Sequence, residues 1–454
     1  MLKNLIIILL VGLTSSNLFA TTLTHYHSML QPQEAKNDID QWLAFIEKTH
    51  PDLAYTTKDV ALFYKEINHF KNSLNQPISV RNFWLEMMQF NSITSDGHFS
   101  LTPSKKEELI SDYLLNGGTL FPFKVIFDND QLIIKEQLNG EPAKLVGKVI
   151  KKINGIAIHT VLEPLLKRTH GDSDAQRKAI LATRFATYYW LYFGEQKQFT
   201  LDIQRDADEM ASITVNASTE ISTADKSFES SFQFSQLNKD TALLTINSFL
   251  WLEDETRVFD FFKSAFTAIK KQNINHLIID IRRNSGGDDH FWKQGILPYI
   301  ADKAWRTGSN YKLKVIAGRV GKGKKEGDVV IGEISSIQAP ELDNPLKFSG
   351  DVSVLVGPYT YSSSILFINT IQDYEFGKLV GDKTGGKSGQ TGGIQTLALS
   401  NSKLFTVVPR FWLTRPKGGH NLELVTLDTV IDYDPMQPTQ LIDKLLLSHK
   451  ASIR

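Results

Sequence analysis

The chain has 454 residues, of which 41% are hydrophobic and 22% are charged, as in an ordinary globular protein. Its 50 Lys and Arg residues balance 50 Asp and Glu residues, so no basic field exists to gather nucleic acid or an anionic membrane, and a neutral partner is expected. The length allows about three domains. Because the chain has no cysteine, disulfides, thiolate metal sites and a lipidated cysteine are excluded.

Residues 1–20 have the form of a secretory signal peptide. Lys3 precedes an apolar run from Leu5 to Leu13, and small and polar residues follow as far as Ala20. The run is too short for a spanning helix, which needs about 20 apolar residues. We therefore expect export to the periplasm of a Gram-negative bacterium, or secretion, with no integral membrane segment after signal removal. An uncleaved anchor is the alternative.

Residues 21–105 are predicted to form a helical amino-terminal region. Three apolar stripes recur there at helical spacing, and aromatic stripes of this kind belong to a core more often than to a binding site. The stripes contain Ile39, Trp42, Leu43 and Ile46, then Phe63, Ile67 and Phe70, then Phe83, Met87 and Phe90. The region ends in a glycine turn that carries His98.

Residues 110–217 change to strand-like patterns. We expect a small antiparallel β domain with a turn at Asn154-Gly155, interrupted between Glu163 and Tyr192 by a helical insert rich in aromatic residues. The polar stretch 218–231 is predicted to be a linker.

From residue 225 to 454, apolar strands alternate with amphipathic helices. This alternation predicts a mostly parallel sheet with crossover helices, so the fold class is mixed α/β. Ligands of such sheets sit at the carboxyl ends of the strands. The apolar run that ends at Asp280 leads to Gly286 and Gly287 there, and the strand Val352–Val356 leads to Ser362.

Ser362 lies between a predicted strand and the N-terminus of the predicted helix that follows it. A serine at a helix N-terminus is often only a cap. The free N–H groups of such a terminus also favour a developing negative charge, so a serine hydroxyl there is placed to attack a carbonyl. Paired glycines after a buried strand likewise let the backbone approach a ligand closely and present N–H groups.

The order of these motifs resembles the C-terminal processing (tail-specific) serine peptidases, a family that includes the tricorn core peptidase. The motifs are Asp-x-Arg-x-Asn-x-Gly-Gly from Asp280, the strand-to-helix serine, and Gly-Asp-x-Thr-x-Gly-Lys ending at Lys387. The resemblance implies a catalytic domain of the crotonase/ClpP-like kind over 225–454 and a PDZ-like domain over 110–217. Such PDZ domains take an extended peptide as an added strand, and Leu120, Phe121 and Phe123 would border that groove.

The resemblance also implies site residues. Ser362 would be the nucleophile and Lys387 the general base, with Asp373 between them, because the two follow Ser362 by 11 and 25 positions, the spacing of the bacterial branch. The N–H groups of Gly287 and Ser363 would form the oxyanion hole.

His98 is a rival for the role of base, because the tricorn-like branch uses a histidine at this kind of turn. A histidine needs only a small pKa change to accept a proton near neutrality, whereas a lysine must be desolvated by about three pKa units. Glu423 or Asp428 would then orient His98. The sequence leaves both bases open.

We therefore expect an exported serine endopeptidase that cleaves polypeptides near their carboxyl ends through an acyl-enzyme, with no cofactor, no metal and no nucleic-acid partner. The alternative is a catalytically inactive periplasmic PDZ-type scaffold that binds peptides. Two departures from the family motivate it: Ile365 stands where the family has glutamate, and the late Gly-Val-x-Pro-Asp signature is reduced to residues 425–428.

Overall fold

The structure is a computed structural model that describes residues 23–141, 144–206, 209–222, 225–419 and 421–452. The signal peptide expected at residues 1–20 lies outside this range. The helices are Pro32–Thr49, Leu53–Tyr55 (3-10), Val60–Ser73, Val80–Met88, Gln89–Ser92 (3-10), Lys106–Leu115, Ile158–Lys167, Asp174–Phe193, Phe228–Ser231, Glu255–Lys271, Asp289–Gly295, Leu297–Ile300, Ser363–Asp373 and Thr439–Ser452.

The three helices predicted in the amino-terminal region are confirmed, and local signals explain where they begin. A proline follows the N-cap of Pro32–Thr49, and a capping box joins Gln31 to Glu34. Val60–Ser73 begins after Asp59, whose carboxylate accepts a hydrogen bond from the Leu62 N–H at 2.8 Å. Such a cap satisfies one of the free N–H groups of the first turn.

The carboxy-terminal half is built on a mostly parallel six-stranded sheet, as predicted. One antiparallel strand lies at its edge, and the other five strands run parallel. In spatial order the strands are Phe232–Gln236, Thr241–Ile246, His276–Asp280, Asp351–Leu355, Lys378–Gly381 and Thr429–Val430.

Both faces of this sheet are covered. Leu277 and Ile279 pack into one apolar cluster with the helix Glu255–Lys271, whereas Ile278 packs on the opposite face beneath the helix Thr439–Ser452. Successive side chains of a strand point to opposite faces, so a strand buried on both sides reads as a continuous apolar run. The neighbouring strands His276–Asp280 and Asp351–Leu355 end at the same edge of the sheet, where the glycine and serine loops begin.

The β domain is an antiparallel sheet packed against two helices. Its path runs through the strands Phe123–Asp128, Gln131–Gln137, Val149–Ile153, Gln198–Asp206 and Glu209–Asn216, with Ile156–Ala157 paired to the third. The helix Asp174–Phe193 supplies the aromatic insert, and its buried side chains belong to the core of this region.

Three smaller sheets complete the fold, and one of them joins the amino-terminal region to the carboxy-terminal half. The strands Gln395–Ala398 and Leu404–Val408 form an antiparallel hairpin, the late hairpin, and Ser100–Pro103 pairs with Leu404–Val408 as a third strand. A second sheet contains Val329–Glu333, Asn310–Lys314, Phe411–Leu413 and Gln390–Gly392 in spatial order, and Met29–Leu30 pairs with Ile78–Ser79. The helical region and the late hairpin consequently share one core.

Asp38 fastens the late hairpin to the first long helix. Its buried carboxylate accepts hydrogen bonds from the Asn401 N–H at 2.9 Å, the Asn401 side-chain amide at 2.8 Å and the Ser402 N–H at 2.7 Å. Hydrogen bonds to a buried charged group are stronger than neutral ones, and the donors become unsatisfied when the acceptor is removed.

We predict that Asp38→Ala lowers the free energy of unfolding by about 3 kcal/mol, because the buried Ser402 N–H and two half-buried donors of Asn401 lose a charged acceptor. The measurement is equilibrium denaturation followed by tryptophan fluorescence. Asp40→Ala is the matched control: Asp40 lies on the same helix but forms an exposed ion pair with Lys71, and its loss should change stability by about 0.5 kcal/mol. Equal effects of the two variants would contradict the prediction.

Candidate active site

Ser362 occupies a strained turn between a strand and a helix. The strand Asp351–Leu355 ends shortly before it and the helix Ser363–Asp373 begins directly after it, with φ +57° and ψ −124° at Ser362 itself. A non-glycine residue with positive φ costs of order 1–3 kcal/mol and persists only where its surroundings enforce it. Here the Thr360 hydroxyl donates to the Ile281 carbonyl at 2.9 Å and the Tyr361 N–H to the Asn284 carbonyl at 3.2 Å.

The glycine loop lies directly against Ser362. A β-carbon built on Gly286 would lie 2.6 Å from the Ser362 β-carbon and 3.0 Å from the Ser363 nitrogen, and φ at Gly286 is +105°. A β-carbon on Gly287 would lie 2.2 Å from the Phe249 carbonyl. Only glycine fits at these two positions, and the two loops that lie far apart in the sequence converge on one place.

Two backbone N–H groups next to Ser362, those of Gly287 and Ser363, take no part in the regular hydrogen bonds of their segments. Phe249 and Gly287 form an isolated parallel β-bridge. Its two hydrogen bonds run from the Phe249 N–H to the Gly286 carbonyl at 3.0 Å and from the Asp288 N–H to the Phe249 carbonyl at 2.6 Å, so neither uses the Gly287 N–H. The Ser363 N–H belongs to the first turn of a helix, whose N–H groups lack intrahelical partners. The Ser363 hydroxyl points elsewhere, because it donates to Asp289 at 2.6 Å.

His98 is brought to Ser362. Its Nε2 lies 3.0 Å from the Ser362 Oγ, and its ring packs 4.8 Å from the Tyr361 ring. Desolvation by the surrounding protein lowers the pKa of His98, with Asp96 and Thr391 opposing the shift. The imidazole is therefore held neutral and able to accept a proton at neutral pH.

Thr391 and Asp96 fix which nitrogen of His98 carries the proton. The His98 Nδ1 lies 3.0 Å from the Thr391 Oγ1, which lies 2.8 Å from the Asp96 Oδ1. An ionised carboxylate only accepts, so the Thr391 hydroxyl donates to Asp96 and must accept from Nδ1–H. The Nε2 that faces Ser362 is then the bare nitrogen. This places the four side chains Ser362, His98, Thr391 and Asp96 in one directed chain.

Glu423 does not take the position expected for it. Thr391 occupies the hydrogen bond at His98 Nδ1, while the Glu423 side chain is exposed and its carbonyl accepts from the Ser388 N–H at 2.8 Å. Asp428 instead accepts from the Leu379 N–H at 2.8 Å. The sequence analysis missed Thr391 and Asp96, although the carboxylate two positions before His98 was a usable signal.

Lys387 is near the site but bonds elsewhere. In the described residues, its ammonium donates to the Ser95 carbonyl and, at 3.1 Å, to the Ser95 hydroxyl, and it lies 5.5 Å from the centre of the Tyr55 ring. The hydroxyl of Ser362 pairs with His98 instead. Lys387 therefore contacts the turn that carries His98, whereas the sequence analysis offered it as one of two candidate bases for Ser362.

Asp172, which the sequence analysis did not single out, joins three parts of the site. Its carboxylate accepts from the Gly97 N–H at 2.8 Å, the Tyr361 hydroxyl at 2.9 Å and the Lys387 N–H at 2.8 Å. Burial, reinforced by the nearby Asp96 charge, raises the pKa of Asp172 to about 6. Asp172 thus links the histidine turn to the serine turn and to the lysine loop.

Asp373 is separated from Ser362 by its own helix. It lies at the last position of Ser363–Asp373, about 15 Å along the helix axis from the first position at 1.5 Å per residue. Its buried carboxylate pairs with Arg415 at 2.6 Å and accepts from the Lys417 N–H at 2.9 Å. The spacing along the sequence was right for the family motif, but the contacts of Asp373 are those of a structural ion pair.

Leu120, Phe121 and Phe123 do not border an open groove. Their side chains are buried, and Phe121 packs between the Phe185 and Phe199 rings at 5.0 and 5.1 Å. The backbone of Leu120 is also paired on both its N–H and C=O with Ser218. The expected peptide contacts of these side chains are wrong, because apolar and aromatic residues at the start of this domain fill its core.

Comparison with known proteins identifies a family to which part of the chain is similar. Residues 240–430 match the sequence profile of the family described as Peptidase family S41. This region is similar to S41 peptidase domains. A CtpA-like serine protease of Staphylococcus epidermidis is 30% identical over 185 residues, covering 40% of this chain and 31% of that protein. A CtpA-like serine protease of Staphylococcus aureus is 24% identical over 324 residues, and the match covers 69% of this chain and 53% of that protein.

The chain thus spans about a third to about half of the length of these relatives. Among solved structures, mature CPAF complexed with lactacystin superposes with a TM-score of 0.70 at 12% identity, covering 93% of this chain and 99% of CPAF. At that identity the likeness establishes the fold, and it extends well beyond residues 240–430 to the helical region and the β domain.

In the part of the chain that the structure describes, no helix is both long enough and apolar enough to cross a bilayer. Nor do the described His, Asp and Glu residues assemble a group of three or more that would hold a metal ion.

We predict that Gly286→Ala lowers the reactivity of Ser362 toward a fluorophosphonate by at least about tenfold. The added methyl would meet the Ser362 β-carbon at 2.6 Å, so the serine turn must move. Labelling rates of the purified protein measure this. Gly318→Ala is the control: Gly318 also has positive φ, +74°, but has open space around it, so only a backbone cost of about 1 kcal/mol is expected there. Unchanged labelling of Gly286→Ala would contradict the close approach.

Proposed function

We propose that this protein is a serine peptidase in which Ser362 is the nucleophile and His98 the general base. The observation that carries the proposal is the 3.0 Å contact between the bare Nε2 of His98 and the Ser362 hydroxyl, with the tautomer set by Thr391 and Asp96. A nucleophile and a base within hydrogen-bond reach, with the base oriented by further groups, are the signature of acyl transfer through a covalent intermediate.

The reaction would follow from these positions. The Ser362 oxygen attacks the carbonyl carbon of a peptide bond while its proton passes to His98 Nε2, giving a tetrahedral oxyanion. The N–H groups of Gly287 and Ser363 are the proposed donors to that oxyanion, aided by the positive end of the helix dipole. Collapse breaks the C–N bond, and His98 returns the proton to the departing amine. Water, activated by His98, then hydrolyses the ester on Ser362.

Lys387 and Asp172 have a different proposed role. Their contacts with Ser95, Gly97 and Tyr361 support positioning of the turn that presents His98. Asp373 and Glu423 lie outside the hydrogen-bond chain of the serine, and we assign them no step in the reaction.

The proposed substrates are polypeptides outside the cytoplasm. Export is supported by the form of residues 1–20, and cleavage near carboxyl ends by the resemblance to tail-specific peptidases. Mass spectrometry of products from a polypeptide with a free or an amidated carboxyl end tests the second point: a preference for the free end is expected, and equal cleavage of both would contradict it.

The proposal predicts that Ser362→Ala abolishes cleavage of a fluorescent casein and labelling by a fluorophosphonate. His98→Gln should lower kcat by at least about 10³-fold, because the general base is lost while the fold remains. Ser364→Ala, a change to the buried serine two positions on, is the control for purification and folding. Peptidase activity of Ser362→Ala equal to that of the unmodified protein would refute the assignment.

The pH dependence separates histidine from lysine as base. Protonated His98 cannot accept the serine proton, so activity is present above the pKa of His98 and is lost as the pH falls through it. Because burial lowers that pKa, the acid limb of kcat/KM should lie below the ordinary histidine value of about 6.5.

Two variants sharpen the pH measurement. Lys387→Met should lower the plateau rate but keep this acid limb, since Lys387 only positions the turn. Asp172→Asn removes a second buried group whose pKa burial raises, and the acid limb should persist in this variant as well. A profile that rises only in alkaline solution and vanishes in Lys387→Met would assign the base to Lys387 instead.

A further inference from the structure

The hydrogen-bond chain of the site continues behind Asp96 to two buried residues of the amino-terminal region. We propose that Thr56 and His50 are positioning residues that orient the Asp96 carboxylate and thereby keep His98 in the tautomer with a bare Nε2. This inference rests on the proposed function of Ser362 and His98. It extends the site to a segment about 40 residues before His98, which like His98 itself lies outside residues 240–430.

The groups at the two ends of this extension, the Asp52 N–H and the Asp96 carboxylate, determine which atom donates in each of its hydrogen bonds. The Asp52 N–H donates to the His50 Nδ1 at 3.2 Å, so that nitrogen is bare and the proton of a neutral His50 sits on Nε2. Nε2 lies 2.8 Å from the Thr56 Oγ1 and donates to it. The Thr56 hydroxyl in turn donates to the Asp96 Oδ2 at 3.0 Å.

His50 is held neutral. Burial lowers its pKa to about 4, and the facing charges are Asp96 and Asp52, which raise it, and Lys314, which lowers it further. His50 is consequently neutral near pH 7, where its Nε2–H donates to Thr56. It sits at the end of the helix Pro32–Thr49, with its ring edge against Phe99 at 5.9 Å.

Thr56 is itself fixed by its main chain. Its carbonyl accepts from the Ser95 N–H at 2.7 Å, and its N–H donates to the Leu53 carbonyl at 2.9 Å. The hydroxyl is thus presented to Asp96 by a segment that is bonded to the histidine turn at the adjacent residue. A side chain held in this way can determine the orientation of a neighbouring carboxylate.

Asp96 needs this partner. The side chain is 1% exposed, and its Oδ1 already accepts from the Thr391 hydroxyl and the His98 N–H, both at 2.8 Å. Thr56 satisfies the other oxygen. Without the Thr56 hydroxyl, Oδ2 is a buried acceptor with a lost partner, and the carboxylate can gain by turning away from Thr391. The Thr391–His98 hydrogen bond then loosens, and the Nδ1–H tautomer is no longer enforced.

The experiment compares two neighbouring threonines. Thr56→Val should lower kcat for fluorescent casein about tenfold, per active site titrated with a fluorophosphonate, with KM unchanged, because the loss concerns proton transfer. Thr56→Ser should restore kcat to within about twofold. Thr57→Val is the matched control: Thr57 is also buried, but its hydroxyl donates to the Ile93 carbonyl at 3.0 Å. It should lower the Tm and leave kcat per active site unchanged.

His50→Leu interrupts the same hydrogen-bond chain at its other end. It replaces Thr56→Val as the test variant if Thr56→Val does not fold. It should lower kcat less than Thr56→Val. The double variant should be no slower than Thr56→Val alone, since breaking one chain twice has no further effect.

A spectroscopic readout is independent of turnover. In protein labelled with ¹⁵N-histidine, the His98 resonances, assigned by their loss in His98→Gln, should report the Nδ1–H tautomer at pH 8. Thr56→Val should shift them toward a mixture of tautomers, and Thr57→Val should not. An unchanged tautomer together with an unchanged kcat in Thr56→Val, or an equal loss of kcat in Thr57→Val, would overturn the inference. Failure of the proposed function would appear separately, as activity in Ser362→Ala.

Discussion

The site depends on one buried carboxylate that can only accept hydrogen bonds. Because Asp96 cannot donate, every hydroxyl that touches it must point its proton inward, and Thr391 is thereby forced to accept from His98. The donor and acceptor of each hydrogen bond between Ser362 and Asp96 follow from this single constraint. A neutral acceptor such as an amide would leave the direction open, and with it the protonation state of the nitrogen that faces Ser362.

The turn that carries Asp96 and His98 has no regular secondary structure, so it needs support from other segments. Lys387 holds the carbonyl of Ser95, and Asp172 holds the N–H of Gly97. These contacts come from a glycine-rich loop and from the segment before the aromatic helix. Loops that carry function are commonly positioned by a rigid scaffold in this manner. The same contacts help to enforce the unfavourable backbone conformation at Ser362, since Asp172 also accepts from the Tyr361 hydroxyl.

Much of the fold follows from patterns that a sequence displays directly. The three amino-terminal helices and the parallel sheet were predicted from apolar periodicity and from glycine and proline positions. The convergence of the serine and glycine loops followed from the rule that ligands bind at the carboxyl ends of parallel strands.

The rest depends on long-range contacts that leave no periodic trace. Thr391 lies among glycines, and only the folding of its loop onto the histidine turn gives its hydroxyl a role. Asp172 sits in a segment whose pattern indicates an ordinary helix start. Asp373 illustrates the opposite case: its spacing fits a family motif, yet a straight helix carries it away from Ser362 and Arg415 neutralises it.

The pairing of Ser100–Pro103 with Leu404–Val408 has a consequence for biosynthesis. A ribosome that has completed the polypeptide only as far as Ser362 has produced the nucleophile and the histidine, but neither Thr391 nor the hairpin against which the histidine segment is aligned. The hydrogen-bond chain from Asp96 to Ser362 therefore cannot be assembled before the segment that contains Thr391 and the late hairpin has been synthesised.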